Sequence, residues 1–283
     1  MRIAVLSDVH GNVPALEAVL DDIERWGPDR IVVNGDLVNR GPCSLSCLER
    51  VRRLPAGSRW LKGNHEGFVI DSLDHPRDPD DPLYELYRFG HWTAAQLGSA
   101  VDELRDWPDG LDLEDPGGAS LYITHGSREG NRSGIHPETP DADLPAKLGA
   151  PRDLFIASHT HRPMVRRFRH GLVVNTGSVG QPFDGDPRAA YGRFSLREGC
   201  WHAEIARVPF DRERALRDFV DSGFLEQAGP LAAIVYVELD RAEMHLGRWM
   251  GQYLAPVRSG EISMARATRA YLDRLGLDTG PGR

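Results

Sequence analysis

Three short apolar runs at regular spacing near the N-terminus constrain the fold more than any other feature of the sequence. Residues 3–6 and 31–33 are continuously apolar, as expected for strands buried on both faces, and Trp60 and Leu61 mark a shorter third strand. Apolar residues at helical spacing lie between these runs, at positions 16, 19, 20 and 23 and again at 45, 48, 51 and 54. The resulting β-α-β-α-β order predicts parallel strands joined by right-handed crossovers.

From residue 111 onward the pattern changes to short strands, which we predict at 111–113, 120–124, 154–157, 164–168, 172–174, 192–196 and 201–208. This order is typical of an α/β fold, here a four-layer α/β/β/α sandwich of two mixed sheets flanked by helices. Helical patterns return at 210–219, 241–253 and 262–275. We therefore predict a domain over 1–208 and a C-terminal helical extension over 209–283. Within the extension, residues 231–237 fit either a strand or a buried helix.

Charge and hydropathy argue against several functional classes. The formal net charge of −8 disfavours a broad nucleic-acid-binding surface. The longest apolar run, residues 231–237, is far too short to span a membrane, and the N-terminal strand lacks the layout of a signal peptide. Three cysteines are too few, and odd in number, for a disulfide framework. We therefore expect a cytoplasmic protein without a membrane partner.

Polar side chains follow each of the three N-terminal strands. Asp8 and His10 come after the first strand, Asp36 after the second, and Asn64 and His65 after the third; Asp8, Asp36 and Asn64 are spaced 28 residues apart. The carboxyl ends of such strands form the ligand-binding edge of a doubly wound sheet. Later strands end in three further candidates, His125, His159 and His161. Two sheets would thus deliver carboxylates and imidazoles to one edge.

This clustering predicts a metal site. Crowding Asp8 and Asp36 together without cations would be costly, because like charges repel. The candidate ligands are oxygen and nitrogen atoms without thiolates. Such a set suits divalent transition-metal ions, Mn²⁺ before Fe or Zn²⁺, better than a structural zinc.

Five segments together resemble the motifs of a known family, the calcineurin-like metallophosphoesterases. They are Asp8-x-His10, Gly35-Asp36-x-x-x-Arg40-Gly41, Gly63-Asn64-His65-Glu66, His125-Gly126 and His159-x-His161, within residues 1–208. The resemblance implies that two metal ions share Asp36 as a bridging ligand. It implies that one ion is bound by Asp8, His10 and His161, and the other by Asn64, His125 and His159.

The resemblance also implies a reaction, hydrolysis of a phosphodiester or phosphomonoester by in-line attack of a metal-bound hydroxide. His65 would act as the general acid that protonates the leaving oxygen. Arg40 is a candidate catalytic and substrate-binding residue, because its guanidinium fork can hold phosphate oxygens, and Asn64 is a second substrate-binding candidate. We expect a small phosphorylated substrate, with nucleotides among the candidates.

Two positions depart from related enzymes. Ser/Thr protein phosphatases carry an aspartate where this chain has Asn39, and that aspartate orients the catalytic histidine. Phe183 stands where small bacterial phosphodiesterases of the superfamily often carry an arginine, and an apolar or stacking contact could replace a phosphate contact there. A basic run beside His161 contains Arg162, Arg166, Arg167 and Arg169, which are either solvated strand residues or attractors of a polyanion.

Several functional alternatives stay open on the sequence. A Ser/Thr protein phosphatase or a dinucleoside tetraphosphatase is favoured by Arg40, although Asn39 weakens the protein phosphatase. A non-catalytic scaffold on the same fold is the alternative of another class, disfavoured because every ligand position is occupied. The C-terminal helices could form a homo-oligomer, cover the active-site edge or merely cover a face of a sheet.

Overall fold

The computed structural model describes residues 1–277 and contains two five-stranded sheets. The first has the order β10-β9-β1-β2-β3 and the second β4-β5-β6-β8-β7. The strands are β1 Arg2–Leu6, β2 Arg30–Asn34, β3 Arg59–Leu61, β4 Gly110–Glu114, β5 Ser120–Thr124, β6 Leu154–Ala157, β7 Met164–Phe168, β8 Gly171–Asn175, β9 Ala189–Arg197 and β10 Cys200–Val208. Both sheets mix parallel and antiparallel pairs.

Helices flank these sheets, which confirms the predicted α/β sandwich. They are α1 Val13–Trp26, α2 Ser44–Val51, α3 Asn64–Asp74, α4 Tyr84–Leu97, α5 Val101–Arg105, α6 Leu144–Leu148, α7 Arg212–Asp221, α8 Phe224–Gln227, α9 Ala232–Arg241, α10 Leu246–Arg258 and α11 Met264–Arg274. Among residues 1–277, no helix is long and apolar enough to cross a membrane.

The continuous apolar run of β1 reflects burial on both of its faces. Ala4 and Leu6 belong to the core between the first sheet and its helices. Ile3 and Val5, on the opposite face, belong to the core between the two sheets. Since strand residues alternate between faces, only a strand sandwiched between two layers needs apolar side chains at every position. β1 therefore occupies the centre of its sheet, parallel to β2 and antiparallel to β9.

The helices after Val208 form their own apolar cluster, which also includes a residue from the first part of the chain. Its fully buried members include Phe224, Ile234 and Trp249. Phe89 of α4 lies in the same cluster, with its ring stacked 6.1 Å from that of Phe224. The extension is thus packed against the helices that follow β3.

Three details differ from the sequence predictions or decide between them. Residues 231–237 lie largely in helix α9 rather than in a strand. The predicted helix over 241–253 was wrong at its start, because Ala242 has the left-handed φ of 53° and ends α9. Helix α3 was not predicted. Its buried positions are Glu66, Val69 and Ser72, of which only one is apolar, so the hydrophobic pattern is weak.

Candidate metal centre

Strained loops follow the strands at the edge where the candidate ligands lie. Asp8, His10 and Asp36 have φ values of 54°, 50° and 51°, and His159 and His161 have 65° and 56°. This left-handed region costs about 1–3 kcal/mol for a residue with a side chain. Backbone hydrogen bonds hold the first two loops together, from the Asp8 amide to Gly35 and from the His10 amide to Asp36. Strain concentrated in this way is typical of functional sites.

One buried group brings together Asp8, His10, Asp36 and His161. One potential ligand atom from each lies within 4.8 Å of the others. Nε2 of His161 lies 3.1 Å from Oδ1 of Asp8 and 3.2 Å from Nε2 of His10. Nε2 of His10 lies 3.8 Å from Oδ2 of Asp36. These four side chains come from two different sheets and can surround one cation.

A second group shares Asp36 with the first and adds His125 and His159, again within 4.8 Å. Nε2 of His125 lies 3.2 Å from Oδ2 of Asp36 and 3.1 Å from Oδ1 of Asn64. The rings of His125 and His159 meet edge to face at 5.3 Å. The structure therefore brings together all seven side chains that the sequence singled out as metal ligands, with Asp36 between the two groups.

Backbone carbonyl groups fix the protonated nitrogen of two imidazoles. Nδ1 of His161 lies 2.5 Å from the carbonyl oxygen of Gln181, and Nδ1 of His125 lies 2.9 Å from that of Asn34, so both Nδ1 atoms donate. Nε2 of each ring then faces the carboxylate, amide and imidazole atoms described above. Such atoms repel each other unless a proton or a cation lies between them. The donor set therefore fits divalent ions.

The carboxylate of Asp8 gives an independent test of this fit. Its Oδ1 atom is buried and accepts no hydrogen bond from the described residues. Burial raises the pKa of Asp8, but the facing imidazoles of His161 and His125 outweigh burial and hold that pKa below its ordinary value. A buried, charged oxygen without a hydrogen bond is costly. A cation in the first group would remove this cost.

We expect Mn²⁺ binding to the metal-free protein to release protons. Burial lowers the pKa of His125, but the charges of Asp36 and Asp8 raise it to about 10, above the ordinary 6.5. The protonated ring therefore stabilises the metal-free fold fully below pH 6.5, and this contribution is lost as the pH rises through about 10. A metal ion must displace that proton, so apparent affinity should rise with pH, about tenfold per unit for one linked proton. Calorimetry in buffers of different ionisation enthalpy counts the protons, and a count of zero at neutral pH would contradict this assignment.

Glu66 organises the loop that carries Asp36, a role that the sequence did not reveal. The side chain is fully buried, and Oε2 accepts hydrogen bonds of 2.8 Å from the amides of Asp36 and Gly63. Oε1 accepts from the amides of Leu37 and Val38. Burial and the charge of Asp36 raise the pKa of Glu66 to about 7. Glu66, on the first turn of α3, thus fixes the backbone of the loop that carries Asp36.

His65 lies beside the metal groups in the chain and in space. Its backbone amide donates to Oδ1 of Asp36 at 2.8 Å, and its ring meets the His10 ring edge to face at 4.9 Å. Nδ1 of His65 lies 2.9 Å from the side-chain nitrogen of Asn39, whose oxygen accepts a hydrogen bond from Thr93. Asn39 therefore donates to Nδ1 and leaves the ring proton on Nε2. Burial lowers the pKa of His65 to about 3, so the ring is neutral before substrate binds.

Arg40 also lies at the site, and two side-chain contacts fix the position of its guanidinium. Nε donates to Oε1 of Gln181 at 2.9 Å, and Nη2 is paired with the buried carboxylate of Glu238 in α9. The Arg40 side chain is 10% exposed. Phe183 packs flat on the His161 ring at 4.2 Å, with the Arg40 guanidinium 5.7 Å from its ring centre. Phe183 thus makes a stacking contact, and the ring on which it stacks is that of His161, a candidate metal ligand.

A cleft of about 540 Å³ opens above these residues. Its polar floor includes Asp36, Asn64, His65, His159 and His161. Its walls add aromatic and methionine side chains and two further basic residues: Phe68, Tyr87, Met244, Met250, Arg132 and His136.

The predicted basic run lies elsewhere, with Arg162 paired with Glu138 and Arg166 paired with Asp141. Arg132, rather than that run, brings a second guanidinium to the cleft.

Comparisons with known proteins agree with this geometry. The family model for calcineurin-like phosphoesterases matches residues 1–186. An uncharacterised protein of Methanocaldococcus jannaschii is 30% identical over 257 residues, covering 80% of this chain and 95% of that protein. Phosphodiesterase YfcE of Escherichia coli K12 is 28% identical, covering 68% of this chain and 86% of the enzyme. A symmetrical bis(5'-nucleosyl)-tetraphosphatase of Cronobacter sakazakii is 37% identical, but the match spans 54% of this chain and 49% of that enzyme.

Solved structures support the same relationship. A metallophosphoesterase from Sphaerobacter thermophilus has a TM-score of 0.68 at 28% identity, covering 86% of this chain and 99% of that chain. A protein from Pyrococcus horikoshii with 19% identity shares the fold, with a TM-score of 0.66 over 82% of this chain and 97% of that chain. The resemblance carried by the five motifs is therefore confirmed. The chain belongs to the calcineurin-like phosphoesterase family and is a metal-dependent phosphoesterase.

Proposed function

We propose that this protein hydrolyses a phosphodiester or phosphomonoester bond in a small phosphorylated molecule with the help of two divalent ions. The observation that carries the proposal is the crowding of ligand atoms around the two buried carboxylates: Oδ2 of Asp36 lies 3.8 Å from Nε2 of His10 and 3.2 Å from Nε2 of His125, and Oδ1 of Asp8 accepts no hydrogen bond from residues 1–277. The names of two relatives, a phosphodiesterase and a tetraphosphatase, support the same reaction class.

The two groups suggest how the ions would be held. Asp8, His10 and His161 would bind one ion, and Asp36 would be shared. The other ion would be held by Asn64, His125 and His159. When bound, two such ions orient a phosphate, offset the charge that develops on it and lower the pKa of the attacking water. We propose Mn²⁺ as the preferred ion, with Fe or Zn²⁺ as alternatives, because the donors are oxygen and imidazole nitrogen.

His65 is proposed as the general acid. Its Nε2 carries the ring proton because Asn39 donates to Nδ1, and the ring lines the cleft. To donate the Nε2 proton without becoming an imidazolate, the ring must first take up a second proton at Nδ1, which requires a pKa above the substrate-free value of about 3. An anionic phosphate placed against the ring would raise that pKa, since an opposite charge favours the imidazolium. The hydrogen bond from Asn39 favours the neutral ring, so substrates whose leaving group needs little protonation should react fastest.

The walls of the cleft favour a substrate that carries an organic group beside its phosphate. The rings of Phe68 and Tyr87 stack at 5.0 Å, and Met244 and Met250 are each 37% exposed although both are apolar. Partly exposed aromatic and methionine side chains beside a polar floor are typical of ligand pockets. A nucleoside or another flat apolar group could contact them while its phosphate reaches His65 and Asp36.

A dinucleoside polyphosphate hydrolase is the second candidate function. The relative from Cronobacter sakazakii favours it, as does the aromatic pair in the cleft, which could stack on a base. That match spans 54% of this chain and 49% of the tetraphosphatase.

A substrate panel tests these proposals. Protein stripped with a chelator and reloaded with Mn²⁺ should hydrolyse bis-nitrophenyl phosphate, with less than about 1% of that activity without added metal. Nitrophenyl phosphate, cyclic nucleotides, diadenosine tetraphosphate and a phosphopeptide distinguish the substrate classes. Less than one equivalent of transition metal per chain, with no activity after Mn²⁺ addition, would contradict the proposed enzymatic activity and favour a non-catalytic scaffold.

A further inference from the structure

Glu238 connects the C-terminal extension to Arg40 in the cleft. Its side chain is fully buried, and Oε2 is paired with Nη2 of Arg40, 198 residues earlier in the chain. Oε1 accepts hydrogen bonds of 2.7 and 2.6 Å from the backbone amides of His245 and Leu246, where α10 begins. Three donors therefore hold this carboxylate in one place.

The geometry of Arg40 leaves part of its guanidinium for a ligand. Nε is bound to Gln181 and Nη2 to Glu238, whereas Nη1 has no hydrogen-bond partner among residues 1–277. Arg40 and Glu238 both line the cleft that contains Asp36 and His65. Arg40 can thus offer Nη1 to a phosphate oxygen while its orientation is held by the other two nitrogens.

The contact with Glu238 also offsets the positive charge of Arg40. A carboxylate in direct contact with a guanidinium leaves little net charge, while the N–H groups can still donate hydrogen bonds. Phosphomonoesters are largely dianionic at neutral pH, whereas phosphodiesters carry one negative charge. A binding site with less positive charge loses more affinity for the dianion than for the monoanion. A neutralised arginine in the cleft would therefore favour diesters.

We propose that Glu238 is a specificity-determining residue, which makes the site select monoanionic phosphodiesters over dianionic monoesters by neutralising Arg40. This inference rests on the proposed phosphoesterase function and narrows its substrate class. It also gives the C-terminal extension a part in the active site, because α9 supplies the counter-charge. The extension contributes to specificity rather than only covering a surface.

Charge-matched variants test the proposal. In Glu238→Gln, the ratio of kcat/KM for nitrophenyl phosphate to that for bis-nitrophenyl phosphate should rise about tenfold, as one unbalanced charge near the phosphate predicts. Asp240→Asn removes the same charge from an exposed position of the same helix, and its ratio should stay within about twofold of the wild type. An unchanged ratio in Glu238→Gln would overturn the proposal.

A double variant keeps the test valid if Glu238→Gln does not fold, since breaking a buried pair is destabilising. The double variant Arg40→Gln/Glu238→Gln has the same net charge as the wild type, so its ratio should stay within about twofold of the wild-type ratio. Its rates should fall because it lacks the Arg40 guanidinium. Arg40→Gln alone leaves an unbalanced carboxylate and should lower the ratio about tenfold. A ratio that is the same in Arg40→Gln and in the double variant would overturn the proposal.

Binding without turnover separates this inference from the proposed function. Phenylphosphonate has a P–C bond that is not hydrolysed, and calorimetry at a pH where it is dianionic should show about tenfold tighter binding to Glu238→Gln than to the wild type. If the wild type binds it but no variant changes the affinity or the ratio, only the role of Glu238 fails. If the wild type hydrolyses no phosphoester with any of the metals, both proposals fail.

Discussion

Replacing Asp36 by asparagine is expected to remove most of the metal-dependent hydrolysis and to lower the metal content below two ions per chain. Asp36 is the one residue shared by the two potential metal groups, and its Oδ2 atom lies 3.2 Å from His125 and 3.8 Å from His10. A neutral amide offers no charge to either ion. Activity should therefore fall by well over about 100-fold, more than the loss of an outer hydrogen-bond partner of a ligand costs.

The fold should survive this change, which keeps the result interpretable. Oδ1 of Asp36 accepts the His65 amide at 2.8 Å, and the amide oxygen of asparagine can still accept that bond. Asp21→Asn, at an exposed position of α1, serves as the control and should retain full activity. Metal analysis by mass spectrometry and the melting temperature complete the measurement. Two bound ions and wild-type turnover in Asp36→Asn would show that Asp36 is not shared between the metals.

The positions of Asp8, Asp36 and Asn64 could be predicted because the local sequence determines them. The alternation of Ile3 and Val5 against Ala4 and Leu6 requires two apolar layers, which makes the strand central and places Asp8 at its carboxyl end. Equal spacing then carries Asp36 and Asn64 to the same edge through parallel strands. These inferences need only periodicity and the topology of parallel sheets.

The supporting residues could not be predicted in the same way. Glu66 acts through hydrogen bonds to backbone amides, and its place in the segment Gly63-Asn64-His65-Glu66 did not reveal that it holds the Asp36 loop. The pair of Arg40 and Glu238 joins positions 198 residues apart, and nothing local distinguishes Glu238 from the other acidic residues of the extension. The same carboxylate accepts the amides at the start of α10, so it also explains the wrong helix boundary. Long-range contacts of polar side chains have no periodic signature.

The left-handed backbone conformations at the site also could not be predicted from the local sequence. Asp8, His10 and Asp36 adopt a backbone conformation that residues with side chains rarely take, and local propensity alone argues against it. It is maintained by the hydrogen bonds between the two loops and by Glu66. Propensity fails where tertiary contacts hold a functional side chain in place.

Replacing His65 by asparagine should separate proton donation from metal binding. The variant should lose about 10²–10⁴-fold in turnover on a diester with a poor alkoxide leaving group, because general acid catalysis contributes an effect of this size. The loss should be much smaller for nitrophenolate, which departs without a proton. Metal content should stay at the wild-type level, since the proposed ligand is the neighbouring Asn64. His75→Asn, at a histidine 78% exposed just beyond the end of α3, is the matched control and should change neither rate. Equal losses on both substrates would rule out His65 as the general acid and leave it a role in binding the phosphate.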